Sequence, residues 1–143
     1  MDLHEAAARG AGDEVRRLLA AGADVDMRDA DGRTALVYAA TAADSDIVRL
    51  LLDAGGDPNA QVSNQRFNAG AEDEDDSSAG ETVAPLLAAC ESEADEPLVL
   101  EVVRLLSTGG ANLNCGDEIG QTSLMMAVAR EWVDVVRELL SLG

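Results

Sequence analysis

Between Asp31 and Asn59 the apolar positions fall into two short runs set off by polar turns. The first, Leu36 to Ala40, is rich in alanine, and the second carries Ile47, Val48, Leu50, Leu51 and Leu52. Apolar residues three and four apart share one face of a helix, so the spacing predicts two consecutive short helices, each with a buried face. The flanks agree with this. Gly32 supplies the positive φ of a tight turn, Thr34 is placed to cap the first helix, and Gly55 to end the second in the left-handed conformation.

The same pattern recurs along the chain. The leucines that open each first helix are Leu3, Leu36, Leu86 and Leu124, at intervals of 33, 50 and 38 residues. Three and four residues later stand Ala6 and Ala7, Ala39 and Ala40, Ala89 and Cys90, and Ala127 and Val128. Twelve residues later, once five extra residues in the third unit are discounted, stand Val15, Val48, Val103 and Val136. The units close with Gly22-Ala23-Asp24-Val25-Asp26, Gly55-Gly56-Asp57-Pro58-Asn59 and Gly110-Ala111-Asn112-Leu113-Asn114.

In period, helix pattern and closing turn, the chain resembles the ankyrin repeat family. The resemblance covers nearly the whole sequence, apart from an excess of 17 residues within Gln61 to Gly80 and of 5 in the turn Glu91 to Pro97. The family's Thr-Pro-Leu-His signature is nowhere complete. It reads Met-Asp-Leu-His, Thr-Ala-Leu-Val, Ala-Pro-Leu-Leu and Thr-Ser-Leu-Met around the four leucines, which leaves open the bracing that Thr and His give each other in that family.

The resemblance implies an all-α fold, an ankyrin-repeat solenoid of stacked helix-turn-helix units with hairpin turns. A single domain is expected, with repeats at about 1–33, 34–60, 81–121 and 122–143. The remaining helices are expected from Leu3 to about Arg9, with Asp2 as cap and Glu5 completing a capping box, and from Asp13 to Ala20. They continue at Ala84 to Glu91, Pro97 to Ser107 with Asp95 or Glu96 as cap, Ser123 to Arg130, and Asp134 to Leu142. The last repeat reaches Gly143 where its second helix should cap, and a longer parent chain is the expectation.

Composition narrows the functional classes. Hydrophobic residues make up 47% but aromatics only 2%, so the core must be Leu, Val and Ala. Such a core suits units that bury their apolar faces only against one another. The net charge of −18 argues against nucleic acid or an anionic membrane as partner and favours a basic or extended protein segment. No apolar run approaches the ~20 residues of a membrane span, and there is no signal-peptide layout, so an intracellular location, cytoplasmic or nuclear, is expected. All ten basic residues are arginine. A GC-rich genome, a halophilic surface or selection against lysine modification would each give that bias.

The segment from Gln61 to Gly80 is rich in Gly, Ser, Asn and acids and lacks any period that would bury a face, which predicts a flexible acidic finger. Its run from Glu72 to Asp76 fails as a calcium loop, since Ser78 stands where the sharp-turn Gly belongs and Ala84 where the bidentate Glu belongs. Neither Cys90 nor Cys115 belongs to a Cys-x-x-Cys pair, and His4 is the only histidine, so no metal or cofactor is expected. Phosphate-loop and nucleophile-elbow motifs are missing as well, and no enzyme is expected.

Recognition by shape and charge remains. In the resembled family the partner lies along the hairpin tips and the inner face of the first helices. By register, this carries over to Glu5 and Ala8, Tyr38 and Thr41, Ala88 and Glu91, and Met126 and Ala129, with Arg28, Asp31, Arg33, Glu118 and Gln121 at the tips. The partner-binding set is therefore Arg28, Asp31, Arg33, Tyr38, Thr41, Glu91, Glu118, Gln121 and Met126, with Tyr38 and Met126 either apolar anchors or cover for the neighbouring repeat. The acid–arginine pairs Asp13/Arg16, Asp46/Arg49, Glu101/Arg104 and Asp134/Arg137 are three residues apart on the second helices and are assigned to the outer face. The alternative function is a structural segment of a longer solenoid with no ligand of its own.

Overall fold

In a computed structural model the described residues are 2–59, 84–114 and 121–142. The expected finger at 61–80, with Phe67, and the turn residues Cys115 and Glu118 lie outside them. Eight helices occur among the described residues, in four pairs: α1 (Leu3–Ala8) and α2 (Gly12–Ala20), α3 (Ala35–Thr41) and α4 (Ser45–Asp53), α5 (Pro85–Glu91) and α6 (Glu96–Thr108), and α7 (Ser123–Ala129) and α8 (Val133–Leu142). Each lies within a few residues of the range that the periodicity predicts.

The helices stack in two ranks. First helices contact first helices, α1 to α3, α3 to α5 and α5 to α7, while α2, α4, α6 and α8 form the second rank in the same order. One apolar cluster runs through all four pairs, and Leu3, Leu36 and Leu86 are buried in it with Leu124 packed against it. The alanines at Ala6, Ala7, Ala39, Ala40 and Ala89 are fully buried, and their small size lets neighbouring helices approach closely. Val15, Val48 and Val103 are also fully buried, which puts the core of every joint on the face that the sequence marks.

Helix ends show where local sequence decides and where it does not. Asp2 accepts from the N–H of Glu5 at 2.8 Å and Asp44 from that of Ile47 at 3.2 Å, satisfying early donors of α1 and α4. Gly55 has φ of 92° just past α4. At the adjacent Gly56 a β-carbon would stand 2.8 Å from the Leu51 carbonyl oxygen, so only glycine fits that exit.

Three capping expectations fail. Thr34 stands at the N-cap of α3, but its hydroxyl makes no capping bond and is buried without a partner. The complete signature would set a histidine at position 37, where this chain has Val37, which offers the hydroxyl nothing. Glu5 does not close a capping box, because its carboxylate turns to Arg9 at 2.6 Å. Asp95 makes no side-chain cap on α6, and Glu96 is committed elsewhere.

The five extra residues of the third unit have a visible use. Glu96 Oε1 accepts from the backbone N–H of Asp134 at 2.8 Å and of Val135 at 3.3 Å, so a carboxylate from the third unit covers the start of α8 in the fourth. In return Arg130 donates to the carbonyls of Ser92 at 2.6 Å and Glu91 at 3.1 Å, which the end of α5 leaves without helical partners. The Arg130 guanidinium lies 4.8 Å from the centroid of the Trp132 ring. Trp132, in the turn between α7 and α8, packs against the core cluster with this arginine held against its ring.

The second-helix charges also differ from expectation. Arg16 and Arg137 approach Asp13 and Asp134 of their own helices, each at 3.9 Å. Arg49 instead reaches Glu101 at 3.8 Å and Arg104 reaches Glu138 at 3.3 Å, both across a unit boundary. The stacking distance between second helices lets an arginine meet an acid on the next helix, which a reading confined to one helix does not consider.

Candidate functional site

The closing turns form a continuous ladder along one edge. Within each, an acidic or amide side chain accepts from the N–H two residues on: Asp24 from Asp26 at 3.0 Å, Asp57 from Asn59 at 2.8 Å and Asn112 from Asn114 at 3.0 Å. These side chains fold the turn by mimicking a backbone turn. The last residues of the first two turns then reach the next unit. Asp26 accepts from the N–H of Asp57 at 2.8 Å, and Asn59 accepts from that of Asn112 at 2.6 Å while donating to the Gly110 carbonyl at 3.0 Å.

On the first hairpin the candidate residues gather around Asp29, which the sequence reading did not single out. Its Oδ1 accepts from the N–H groups of Asp31 and Arg33, both at 2.9 Å, and its Oδ2 accepts from Tyr38 Oη at 2.5 Å. Arg33 stands 6.0 Å from the Tyr38 ring centroid, and His4 meets that ring edge-on with centroids 6.1 Å apart. His4 Nε2 in turn donates to the Met27 carbonyl at 2.7 Å, so the only histidine is a packing residue that ties α1 to the hairpin.

Burial works against the Asp29 carboxylate, but the hydrogen bonds from Tyr38, Arg33 and Asp31 outweigh it and hold its carboxyl below the usual range. The bond to Asp29, followed by burial, pushes the Tyr38 phenol up. Tyr38, Asp31 and Arg33 are thus brought together, with Tyr38 half-buried and braced. Arg28 is exposed on the same hairpin, and Met27 is 58% exposed.

A second group lies between α5 and α7. Glu91, Gln121 and Met126 line one depression of about 340 Å³ together with Cys90, Met125, Ala129 and Arg130. Cys90 forms its buried floor and Met125 stands exposed at its edge, whereas Met126 is half-buried against Ala84 and Leu87. The row five residues after each anchor leucine, Ala8, Thr41, Glu91 and Ala129, is exposed in all four units. The row two residues after is mixed: Glu5 is exposed, Tyr38 and Met126 are half-buried, and Ala88 is buried. Thr41 is exposed, with its hydroxyl bonded back to the Val37 carbonyl at 2.9 Å.

A roomier concavity than this depression lies between α4 and α6, at about 750 Å³, with Leu52, Pro97, Leu100 and Leu105 as apolar lining and Arg49, Asp53, Glu101 and Arg104 among its charged residues. Its two arginines are already matched within the molecule, Arg49 with Glu101 and Arg104 with Glu138, so this groove offers little to an acidic partner. Among the described residues no group of three or more His, Cys, Asp or Glu side chains is placed to hold a metal ion. No helix among them is long and apolar enough to cross a membrane.

Comparison with known proteins agrees with this geometry. A family model described as ankyrin repeats (3 copies) matches residues 3–62. The chain is 30% identical over 122 residues to an ankyrin repeat, SAM and basic leucine zipper domain-containing protein 1 of Nomascus leucogenys, which covers 85% of the chain and 22% of that protein. The protein of the same name in Ornithorhynchus anatinus is 33% identical over 129 residues, 90% of the chain and 23% of its own length. Ankyrin repeat domain-containing protein 63 of Homo sapiens is 37% identical over 117 residues, 81% of the chain and 26% of its own length. The chain thus spans about a quarter of the length of these relatives. Ankyrin repeats are in general protein-interaction modules without catalytic function. With four stacked helix pairs, the recurring closing turns and these relatives, the chain belongs to the ankyrin repeat family.

Proposed function

We propose that the chain recognises a basic, extended segment of a partner protein, laid along the exposed row of the first helices and the hairpin edge. The observation that carries this is the depression between α5 and α7. Three residues chosen by register alone, Glu91, Gln121 and Met126, line it together with the exposed Met125. Methionine adapts its shape to an incoming side chain, and the net charge of −18 attracts a cationic one. Glu91 gives that charge a local carboxylate, and Arg28, Asp31, Arg33, Tyr38 and Thr41 extend the same surface toward the first hairpin.

The test is an affinity series on a partner captured by pull-down, measured at two salt concentrations. Binding weakens as salt rises, because exposed charges are screened over ~8 Å at physiological ionic strength. Met126→Ala raises the dissociation rate and costs ~1–2 kcal/mol if it is an anchor. Arg16→Glu and Arg137→Glu on the second helices leave affinity nearly unchanged. Decisive second-helix arginines with a silent Met126 would move the site to the other rank.

A second reading, a structural segment of a longer solenoid, is favoured by the greater length of the relatives, of which the chain matches about a quarter.

A further inference from the structure

The joint of α4 and α6 differs from the other two joints of the second rank. Near one end of its groove Arg49 lies 3.8 Å from Glu101, and near the other a β-carbon on Gly109 would stand 3.3 Å from Leu52 Cδ2, so the two helices run the same way. Along the groove Leu52, Leu100 and Leu105 are half-buried and Pro97 is exposed, which leaves an apolar floor open to solvent. By register, Ser45 takes the place of Leu100 at the joint of α2 and α4, and Ser107 and Glu138 take those of Leu52 and Leu105 at the joint of α6 and α8. Pro97 lies in an extra first turn, since α6 has 13 residues against the 9 of α4.

We propose that this groove docks an amphipathic helix of a partner protein, with apolar side chains three and four apart set on Leu100 and Leu105 and one lysine or arginine against Asp53. The shape suits a helix. The lining runs from Pro97 to Thr108 along α6, ~16 Å or about three helical turns, and two helices lying side by side leave a groove that the ridge of a third can fill. Charge selects the occupant. Asp53 is exposed in the last turn of α4, where α2 has Ala20 and α6 has Thr108, and it makes no ion pair among the described residues. Neither α4 nor α6 has a basic residue in its last turn, so the negative ends of two helix dipoles add to this carboxylate. With Arg49 and Arg104 already paired, Asp53 is the charge left to the occupant, and it calls for a cation. A second copy of the chain does not suit, because two molecules of −18 repel each other. The groove lies on the second rank, apart from the first-helix row proposed to take an extended segment, and neither surface depends on the other.

Selection of helical peptides from a displayed random library, on the 143-residue chain, tests this. The retained peptides carry apolar residues three and four apart and a lysine or arginine. Asp53→Arg weakens their binding at least tenfold with an unchanged far-UV circular dichroism spectrum, and exchanging the peptide's cation for glutamate restores it. Asp46→Arg, the same change of charge on α4 outside the groove, leaves binding intact, as does Met126→Ala between α5 and α7, so the two surfaces are told apart. Leu100→Gln weakens binding at every salt concentration, whereas the effect of Asp53→Arg fades as salt rises. Retained peptides that are acidic or that ignore Asp53→Arg overturn the proposal, as does retention of none. Two other occupants would overturn it as well: a second copy, shown by self-association that Asp53→Arg abolishes, or residues 61–80 of this chain, shown by amide exchange that rises there when a peptide binds.

Discussion

Glu96 caps a helix to which it does not belong: its Oε1 lies 2.8 Å from the backbone nitrogen of Asp134, across the boundary between the third and fourth units. The N-cap place of α8 falls on Trp132, which has no acceptor, whereas the equivalent place before α4 is Asp44. The lengthened turn before α6 thus supplies from outside what the fourth unit lacks. Glu96→Ala should lower stability by ~1 kcal/mol, the usual worth of a lost helix cap. Trp132 is the chain's only tryptophan, so its fluorescence reads this joint directly. In urea its transition should move to lower denaturant and separate from the circular dichroism transition, because repeat arrays lose units locally. Coincident, unshifted transitions would show that the bond contributes little.

Two non-glycine residues with positive φ offer a stabilising change. Ala43 at 53° and Glu131 at 58° occupy the turn place that Gly10 fills at 73° in the first unit. The left-handed region costs an ordinary L-residue ~1–2 kcal/mol, which glycine avoids in part at the expense of chain entropy. Glu131 is exposed, so Glu131→Gly should raise stability by ~1 kcal/mol. Ala43→Gly should gain less, because Ala43 is buried and its methyl contributes ~0.8 kcal/mol by burial. Urea midpoints of the two variants rank them, and a larger gain for Ala43→Gly would contradict the balance.

The architecture was legible because it rests on periodicity. The anchor leucines, the buried alanines and the valines twelve residues on recur whatever the turns contain, and the predicted helix ranges match α1 to α8 closely. What escaped was contact between units. No spacing within one helix announces that Arg49 meets Glu101, that Glu96 covers α8 or that Arg130 ends α5. At the candidate site, register found Glu91, Gln121 and Met126, but Asp29 was missed although Asp29-Gly32-Arg33 carries the composition of a side-chain-braced turn. Met125 was missed because its place one residue after the anchor is buried in the other units, as at Val37 and Leu87.

Tyr38 is the only tyrosine, so its ionisation can be followed alone by ultraviolet absorbance. The bond to Asp29 and then burial raise its pKa, and the midpoint should lie above the ~10 of a free phenol. Asp29→Asn should bring it back down. The sign for stability follows: a folded pKa above the unfolded value favours the protonated phenol in the fold. That contribution is complete below pH ~10 and is lost as pH rises through the folded pKa. For Asp29 the folded pKa is lowered, so its contribution is present above pH ~4 and fades as pH falls through the folded value. Tyr38→Phe should therefore flatten both limbs. An ordinary midpoint for Tyr38 would show that the Asp29 bond does not persist in solution.

Asn59 holds the joint between the second and third hairpins at two points. Its Oδ1 accepts from the Asn112 N–H and its Nδ2 donates to the Gly110 carbonyl. Exposed hydrogen bonds each contribute ~0.5–1.5 kcal/mol net, so Asn59→Ala should cost ~1–2 kcal/mol. Asn59→Asp keeps the acceptor, loses the donor and sets a carboxylate toward a carbonyl, and it should cost about half as much at high salt and more at low salt. Asp26 at the preceding joint already works as an acceptor alone, taking the Asp57 N–H at 2.8 Å. Asp26→Asn should accordingly be nearly neutral, losing charge assistance but relieving repulsion among Asp24, Asp26 and Asp57. Urea unfolding of the three variants at two salt concentrations separates the cases. If Asn59→Ala costs no more than Asp26→Asn, the hairpin ladder follows the stacking of the helices and does not help to hold it.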